Sequence, residues 1–237
     1  QVQPGAGGQP ITITWDPQQL FAWLQPLREE RPSSSSWAIA TVSRKVSMAL
    51  VEWVHQNLKA AQVRELSAND LSLNIVLPSP DRVGIDRLLA AVAVNHLRDV
   101  SRPAIVVDMG SAITVDLVSD SGAFSGGAIL PGISTSARVL VEQTDFLPHV
   151  PLDGIANPPP AIGTTTDSAI RSGLFWGSIG AIRELVARQS ASLPTKPQLF
   201  LTGGDASPDI ARLVSDEVCY EPHLVLGGIA WAHATKP

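Results

Sequence analysis

The 237-residue sequence predicts an α/β fold in duplicated form, with a cleft between its two halves. Three observations lead there. Buried-looking strands, AIVVD at 104–108 and QLFL at 198–201, each run into a glycine turn. Helical periodicities alternate with such strands along the chain. The composition is 44% hydrophobic, 16% charged and 5% aromatic, which supplies a core and does not resemble a disordered chain.

From the N-terminus, residues 1–10 are rich in Gly and Pro and read as a loop. ITITW at 11–15 alternates and reads as a strand. Asp16 then caps a helix opened by Pro17, with Leu20, Phe21, Trp23, Leu24 and Leu27 on its apolar face. RPSSSS at 31–36 is a loop. A strand is expected at 37–42, a helix at 47–59 carrying Leu50, Val51, Val54 and Leu58, and a further strand at 73–77. A helix at 85–96 succeeds the turn at Gly84. Strands at 104–108, 112–119 and 123–130 come next, the last two joined by a hairpin turn at Ser121 and Gly122. Pro131 and Gly132 lead into a helix at 134–143. Residues 147–163 are Pro-rich and irregular. Thr166 is expected to cap a long helix at 167–189, with Asp167 in its first turn. A strand at 198–202 ends at Gly203 and Gly204, and helices at 208–213 and 227–234 close the chain. No short repeat is present. The seam is placed near 101–103, dividing 1–102 from 103–237.

Charge and cysteine content narrow the function classes. A net charge of −5 argues against nucleic acid or an anionic membrane as the main partner. Cys219 is the one cysteine, so an internal disulfide or a cysteine metal cluster is excluded and a cytoplasmic setting is expected. Its plain reading is a small apolar residue in a strand. No run of 18 apolar residues occurs, and QVQPGAGGQP lacks the pattern of a signal peptide. The sequence opens without Met, which leads us to expect a fragment or a processed form. His55, His96, His149, His223 and His233 show no ligand spacing and read as surface or helix-end residues. Trp23, Trp53 and Trp176 fall on helix faces and read as packing residues, Trp176 also as part of a dimer face.

Four motifs could carry chemistry. DMGSAIT at 108–114 lies directly after a buried strand. Its turn exposes backbone N–H groups that suit phosphate oxygens, and Asp108 at the strand end can hold a cation that bridges phosphates. Ser111 and Thr114 add hydroxyls. The plain alternative is an ordinary hairpin. GGAILPG at 126–132 allows close backbone approach by a ligand, or simply a bulged strand end. TGGD at 202–205 is a strand-to-helix turn of the kind that contacts nucleotides. Together these turns imply convergence at one end of a sheet. GIDR at 84–87 opens an apolar helix. Asp86 there is either half of a solvated cap pair or a general base for a hydroxyl proton, with Arg87 orienting an anionic substrate.

Taken in order, GIDRLLAA, VVDMGSAITVDLV, SGAFSGGAILPGI, TTTDSAIRSGLFWG and LFLTGGDA resemble type III pantothenate kinases. IATVSRKV and EPHLVLGGIAWA resemble that family's early strand-to-helix passage and its C-terminal end. The resemblance implies a duplicated actin-like (ribonuclease H-like) fold with two subdomains around a cleft, and a homodimer. It implies ATP-dependent phosphorylation of pantothenate to 4'-phosphopantothenate, the first step of coenzyme A synthesis, with Mg²⁺ and a monovalent cation, K⁺ or NH₄⁺. Asp86 resembles the family's proton acceptor. Gly84, Ile85, Asp86, Arg87 and Thr166 match its substrate contacts. Gly110, Ser111, Ala112, Gly203 and Gly204 match its ATP contacts, and Asp108 its cation ligand.

The resemblance is incomplete. Family members begin with a strand carrying an Asp-x-Gly-Asn-Thr turn, which this sequence does not contain. Its ITITWDP segment resembles the family's passage just after that turn, so roughly two strands are expected to be missing; their absence from the protein would imply little or no kinase activity. Leu77 stands where the family has Tyr, Thr165 where it has Asn, and Ser111 where Thr is common. Two rival readings remain: a non-catalytic accessory relative, and a kinase for another small alcohol.

Overall fold

A computed structural model describes residues 35–58, 60–152 and 158–235. The expected strand at 11–15 and helix from Pro17 lie outside the described residues. The chain groups into two compact units that interleave along the sequence. One takes Gln1–Leu73, Ser79–Ala93 and His223–Pro237, the other Asn74–Pro78 and Val94–Pro222. The expected seam near 101–103 falls inside the second of these.

In the first unit, β1 (Ser36–Ile39) and β2 (Gln62–Glu65) pair in parallel, joined by α1 (Arg44–Asn57). Trp53, Val54 and Leu58 turn inward from this passage and bury against Trp37, Leu50 and Val63. Asp70 ends a short 3₁₀ turn (Ala68–Asp70), accepting from Ser67 Oγ at 2.6 Å and Ser67 N at 2.8 Å and pairing with Arg64 at 2.9 Å. Two helices complete this unit: most of α2 (Ile85–Leu97), and α6 (Leu224–Ala234). They cross closely, because a Cβ on Gly228 would sit 2.1 Å from the Leu89 carbonyl oxygen. The sequence places the start of the last helix at the glycine pair; the glycines instead lie inside it, where Gly228 lets the two backbones touch.

The second unit is built on a five-stranded sheet of order β5-β4-β3-β6-β7. β3 (Ala104–Met109), β4 (Ala112–Val118) and β5 (Phe124–Pro131) run antiparallel in sequence. β6 (Gln198–Thr202) and β7 (Val218–Tyr220) add in parallel beside β3. Side chains alternate along each strand, so Ile105, Val107 and Met109 share one face with Ile113, Val115 and Leu201. That face is the core. The helix α4 (Thr166–Ala191) lays Phe175, Ile179 and Ile182 on it at helical spacing, and α3 (Ile133–Glu142) and α5 (Pro208–Val214) add Ile133, Ala137, Ile210, Ala211 and Val214. Arg98, 8% exposed, ties the loop after α2 to the β4–β5 hairpin: it donates to Asn95 Oδ1 at 2.8 Å, Arg102 O at 2.5 Å and Asp120 O at 3.0 Å.

Three local expectations are corrected. Residues 73–77 form no strand. Only Ile75 bridges Phe124, through Phe124 N to Asn74 O at 2.8 Å and Val76 N to Phe124 O at 2.9 Å, and Pro78 and Pro80 stop the ladder there. The cap of α4 is Thr165, not Thr166. Thr165 Oγ1 accepts from Ser168 N at 3.1 Å while Ser168 Oγ accepts from Thr165 N at 2.9 Å, a reciprocal pair that fixes the helix start one residue earlier. β2 has no counterpart among the expected strands, and β7 only the strand expected around Cys219; both are short, with polar or exposed positions.

Candidate functional site

Within the second unit, the turns after β3 and β6 and the exit of β5 meet at one end of the sheet. The cause is topological. β3 and β6 are parallel neighbours, so their carboxyl ends lie side by side, and β4 begins and β5 ends at the same edge. After β3, Gly110 N donates to Ala112 O at 3.0 Å, closing the Gly110, Ser111 and Ala112 turn. The exit of β5 docks on it: Gly132 N donates to Ser111 O at 3.0 Å, and Thr135 Oγ1 to the same oxygen at 2.8 Å. A Cβ on Gly132 would lie 1.9 Å from Gly110 O, so only glycine passes there. From the β6 side, Asp205 N donates to Met109 O at 2.9 Å. Gly203 has φ +108°, and a Cβ on it would lie 2.2 Å from Met109 O and 2.5 Å from Asp108 Oδ1. Its neighbour Gly204 is exposed with open space where a Cβ would go.

The result is a patch of backbone with exposed Ser111, Ala112 and Gly204 at its surface and Asp108 at its floor, half-buried. The register sets Asp108 beside Thr114 on β4 and Thr202 on β6, so a carboxylate and two hydroxyls share one face of the sheet. All are oxygen donors, and oxygen donors suit hard cations. Among the described residues no group of three His, Cys, Asp or Glu could form a metal cage. A divalent ion here would therefore take most of its ligands from phosphate oxygens and water.

The GIDR turn sits in the first unit, at the N-terminus of α2. Asp86 Oδ1 accepts from Arg87 N at 2.9 Å, satisfying one of the helix's orphan donors. Gly84 leaves room for that carboxylate to fold back: a Cβ there would stand 2.5 Å from Asp86 Oδ1. Gly84, Ile85, Asp86 and Arg87 are all half-buried, above a helix whose Leu88, Leu89 and Ala93 are fully buried. Apolar burial of one end thus holds a carboxylate and a guanidinium at the other. Thr166 opens α4 in the second unit and is exposed.

The sequence of this chain matches the type III pantothenate kinase family profile over residues 10–188. The chain belongs to the type III pantothenate kinase family. A type III pantothenate kinase of Gluconobacter oxydans is 37% identical over 191 residues, covering 78% of this chain and 68% of that protein. One from Dehalococcoides mccartyi is 44% identical over 135 residues, 57% of this chain and 49% of its own length. The chain thus spans about half the length of that relative. A solved Campylobacter jejuni protein, described as a conserved Baf family transcriptional activator, superposes with a TM-score of 0.55. It is 23% identical, the match covers 89% of this chain and 87% of that one, and it speaks to the fold.

Sequence reasoning missed two supports of this family's motifs in the chain. Thr135 holds the Ser111 carbonyl, and its signal was a hydroxyl in the first turn of the helix after PG. Asp116 on β4 is 3% exposed, and a Cβ on facing Gly127 would lie 2.4 Å from its Oδ1. The second glycine of GGAILPG therefore leaves room for a buried carboxylate. A separate cleft of about 340 Å³ lies toward the other end of the sheet, lined by Arg102, Gln198, Phe200, Glu217 and Cys219 among others, and holds none of the candidate residues. Cys219 stands in β7 with its surface largely exposed; partial desolvation of the thiol, and then the neighbouring Glu221 carboxylate, raise its pKa.

Proposed function

We propose that the protein phosphorylates pantothenate with ATP, giving 4'-phosphopantothenate and ADP. The observation that carries this is the meeting of three glycine turns over the end of β3, which brings their backbones together at one end of the sheet. Gly110, Ser111, Ala112, Gly203 and Gly204 are the ATP contacts in this reading: the Gly110 N–H closes the turn onto Ala112 O, and the Ser111 hydroxyl with the backbone around Gly204 meets phosphate oxygens. Asp108 holds a monovalent cation, K⁺ or NH₄⁺, with its oxygen neighbours Thr114 and Thr202. Mg²⁺, when bound with ATP, neutralises charge on the transferring group.

The residues of the chain do the rest. Asp86 accepts the proton of the pantothenate hydroxyl as that oxygen attacks the γ-phosphorus. The bond from the γ-phosphorus to the bridging oxygen breaks in line, and ADP leaves. Arg87 pairs with the pantothenate carboxylate, and Gly84, Ile85 and Thr166 complete the substrate contacts. Most of the acceleration comes from positioning. The fold in this reading is the duplicated actin-like one, and the working form is a homodimer. Cys219, free and exposed, suits a cytoplasmic setting.

An ATP-coupled assay with pantothenate and a panel of sugars and small alcohols tests the proposal. Turnover confined to pantothenate supports it. Turnover of another alcohol in its place would move the chain to a different substrate, and ATP binding without turnover of any alcohol would make it an accessory relative.

A further inference from the structure

Residues 158–163 are a stiff strap laid along the first turns of α4, and we propose that Ser172 and Trp176 are positioning residues that hold it so that Thr166 can meet pantothenate. The inference rests on the assignment of Thr166 as a pantothenate contact. The sequence explains the stiffness. Pro158, Pro159 and Pro160 lock φ and offer carbonyls but no N–H. Such a segment can dock only where another element brings donors to it.

The long helix α4 brings them. Trp176 Nε1 donates to Pro159 O at 2.9 Å, and Ser172 Oγ donates to Ala161 O at 2.9 Å. Next along, Gly163 lies so close to the helix that a Cβ would stand 2.2 Å from Ala169 N. The contacts run 159, 161, 163 on the strap against 176, 172, 169 on the helix, in opposite directions. Ser172 is 6% exposed, and Trp176 is held edge-on to buried Phe175, centroids 5.0 Å apart at 89°. Neither donor can swing away. The strap then delivers the chain directly to the Thr165 cap and Thr166. From the same helix Phe175, Ile179 and Ile182 are the buried core residues, and Trp176 packs against that cluster while its indole N–H goes to the strap. Ser172 and Trp176 instead set where the helix entry stands.

Calorimetric titration of the purified protein with pantothenate and, separately, ATP tests this. Ser172→Ala and Trp176→Phe should each weaken pantothenate binding by about three- to tenfold, the range for one lost hydrogen bond, with ATP affinity changed less than about twofold. A role in stability alone would lower the melting temperature and leave both affinities intact, and that result overturns the inference. Ser172→Ala keeps the test open if Trp176→Phe folds poorly. Thr166→Ala separates the two layers. If it weakens pantothenate binding while the strap variants do not, the strap's role falls alone. If Thr166→Ala binds pantothenate normally, the assignment of Thr166 falls and the strap's role with it.

Discussion

In the proposed reading the second unit offers a ligand its backbone, whereas the first offers side chains. At the end of β3, glycines at 110, 132, 203 and 204 strip the surface to peptide groups, and the turns brace one another through Ser111 O and Met109 O. At the start of α2, one glycine clears space for a carboxylate, and half-buried Asp86 and Arg87 open a helix whose next turn is buried. The two solutions fit different chemistries. A polyphosphate spreads charge over many oxygens and is matched by many fixed N–H dipoles. A single hydroxyl proton needs one base of the right affinity. The units should therefore fail differently: the first by loss of one functional group, the second by gain of one methyl.

The largest effect tests the first unit. Asp86→Asn should lower kcat about a thousandfold, within the roughly 10²–10⁴ that general base catalysis contributes, while ATP affinity and melting temperature hold. A loss below about tenfold would remove the proton-acceptor role. Next comes a methyl in the second unit. Gly203→Ala forces a Cβ against Met109 O at a left-handed φ, and should cost about 3 kcal/mol of stability in urea unfolding. A variant as stable as the original would mean the turn relaxes freely and is no rigid cradle.

The smallest effect lies in the first unit, away from the chemistry. The Ser67 hydroxyl, then Arg64 and the Ser67 N–H, hold the Asp70 carboxyl at about 2, below its ordinary 3.8. A lowered pKa stabilises the fold above the unfolded value and is lost as pH falls through the folded one. Asp70→Asn should thus be less stable than the original at neutral pH, and the gap should close between about pH 4 and pH 2. A gap independent of pH would assign the loss to packing instead of charge.

Much of the second unit was legible because its signals are local. AIVVD and QLFL are apolar runs that end in glycine, and the hairpin at Ser121 and Gly122 carries its own turn chemistry, with φ +84° at Gly122. β2 was not legible, and β7 only as a strand around Cys219 without bounds. QVRE is polar, and VCY is three residues long with an exposed middle, so only their partners in the sheet make them strands. LNIVL misled in the other direction: it has the composition of a strand but finds a single partner in Phe124. Among the candidate residues, GIDR, DMGSA and TGG were readable as motifs, since each pairs a turn with a functional group. The Thr165 cap was hidden in a run of three threonines and is decided by Ser168 three residues on. The strap was unreadable because the indole of Trp176 meets a carbonyl 17 residues away.

Gly204 gives the most direct test of the idea that backbone at the end of β3 receives ATP. A Cβ there meets nothing within 4 Å, so Gly204→Ala should leave the unfolding free energy from urea titration within about 0.5 kcal/mol of the original. In the proposed reading the methyl would instead occupy space that phosphates take. ATP affinity, measured by calorimetry, should fall about tenfold or more while pantothenate affinity stays put. A stable Gly204→Ala protein that binds ATP as tightly as before would contradict the account.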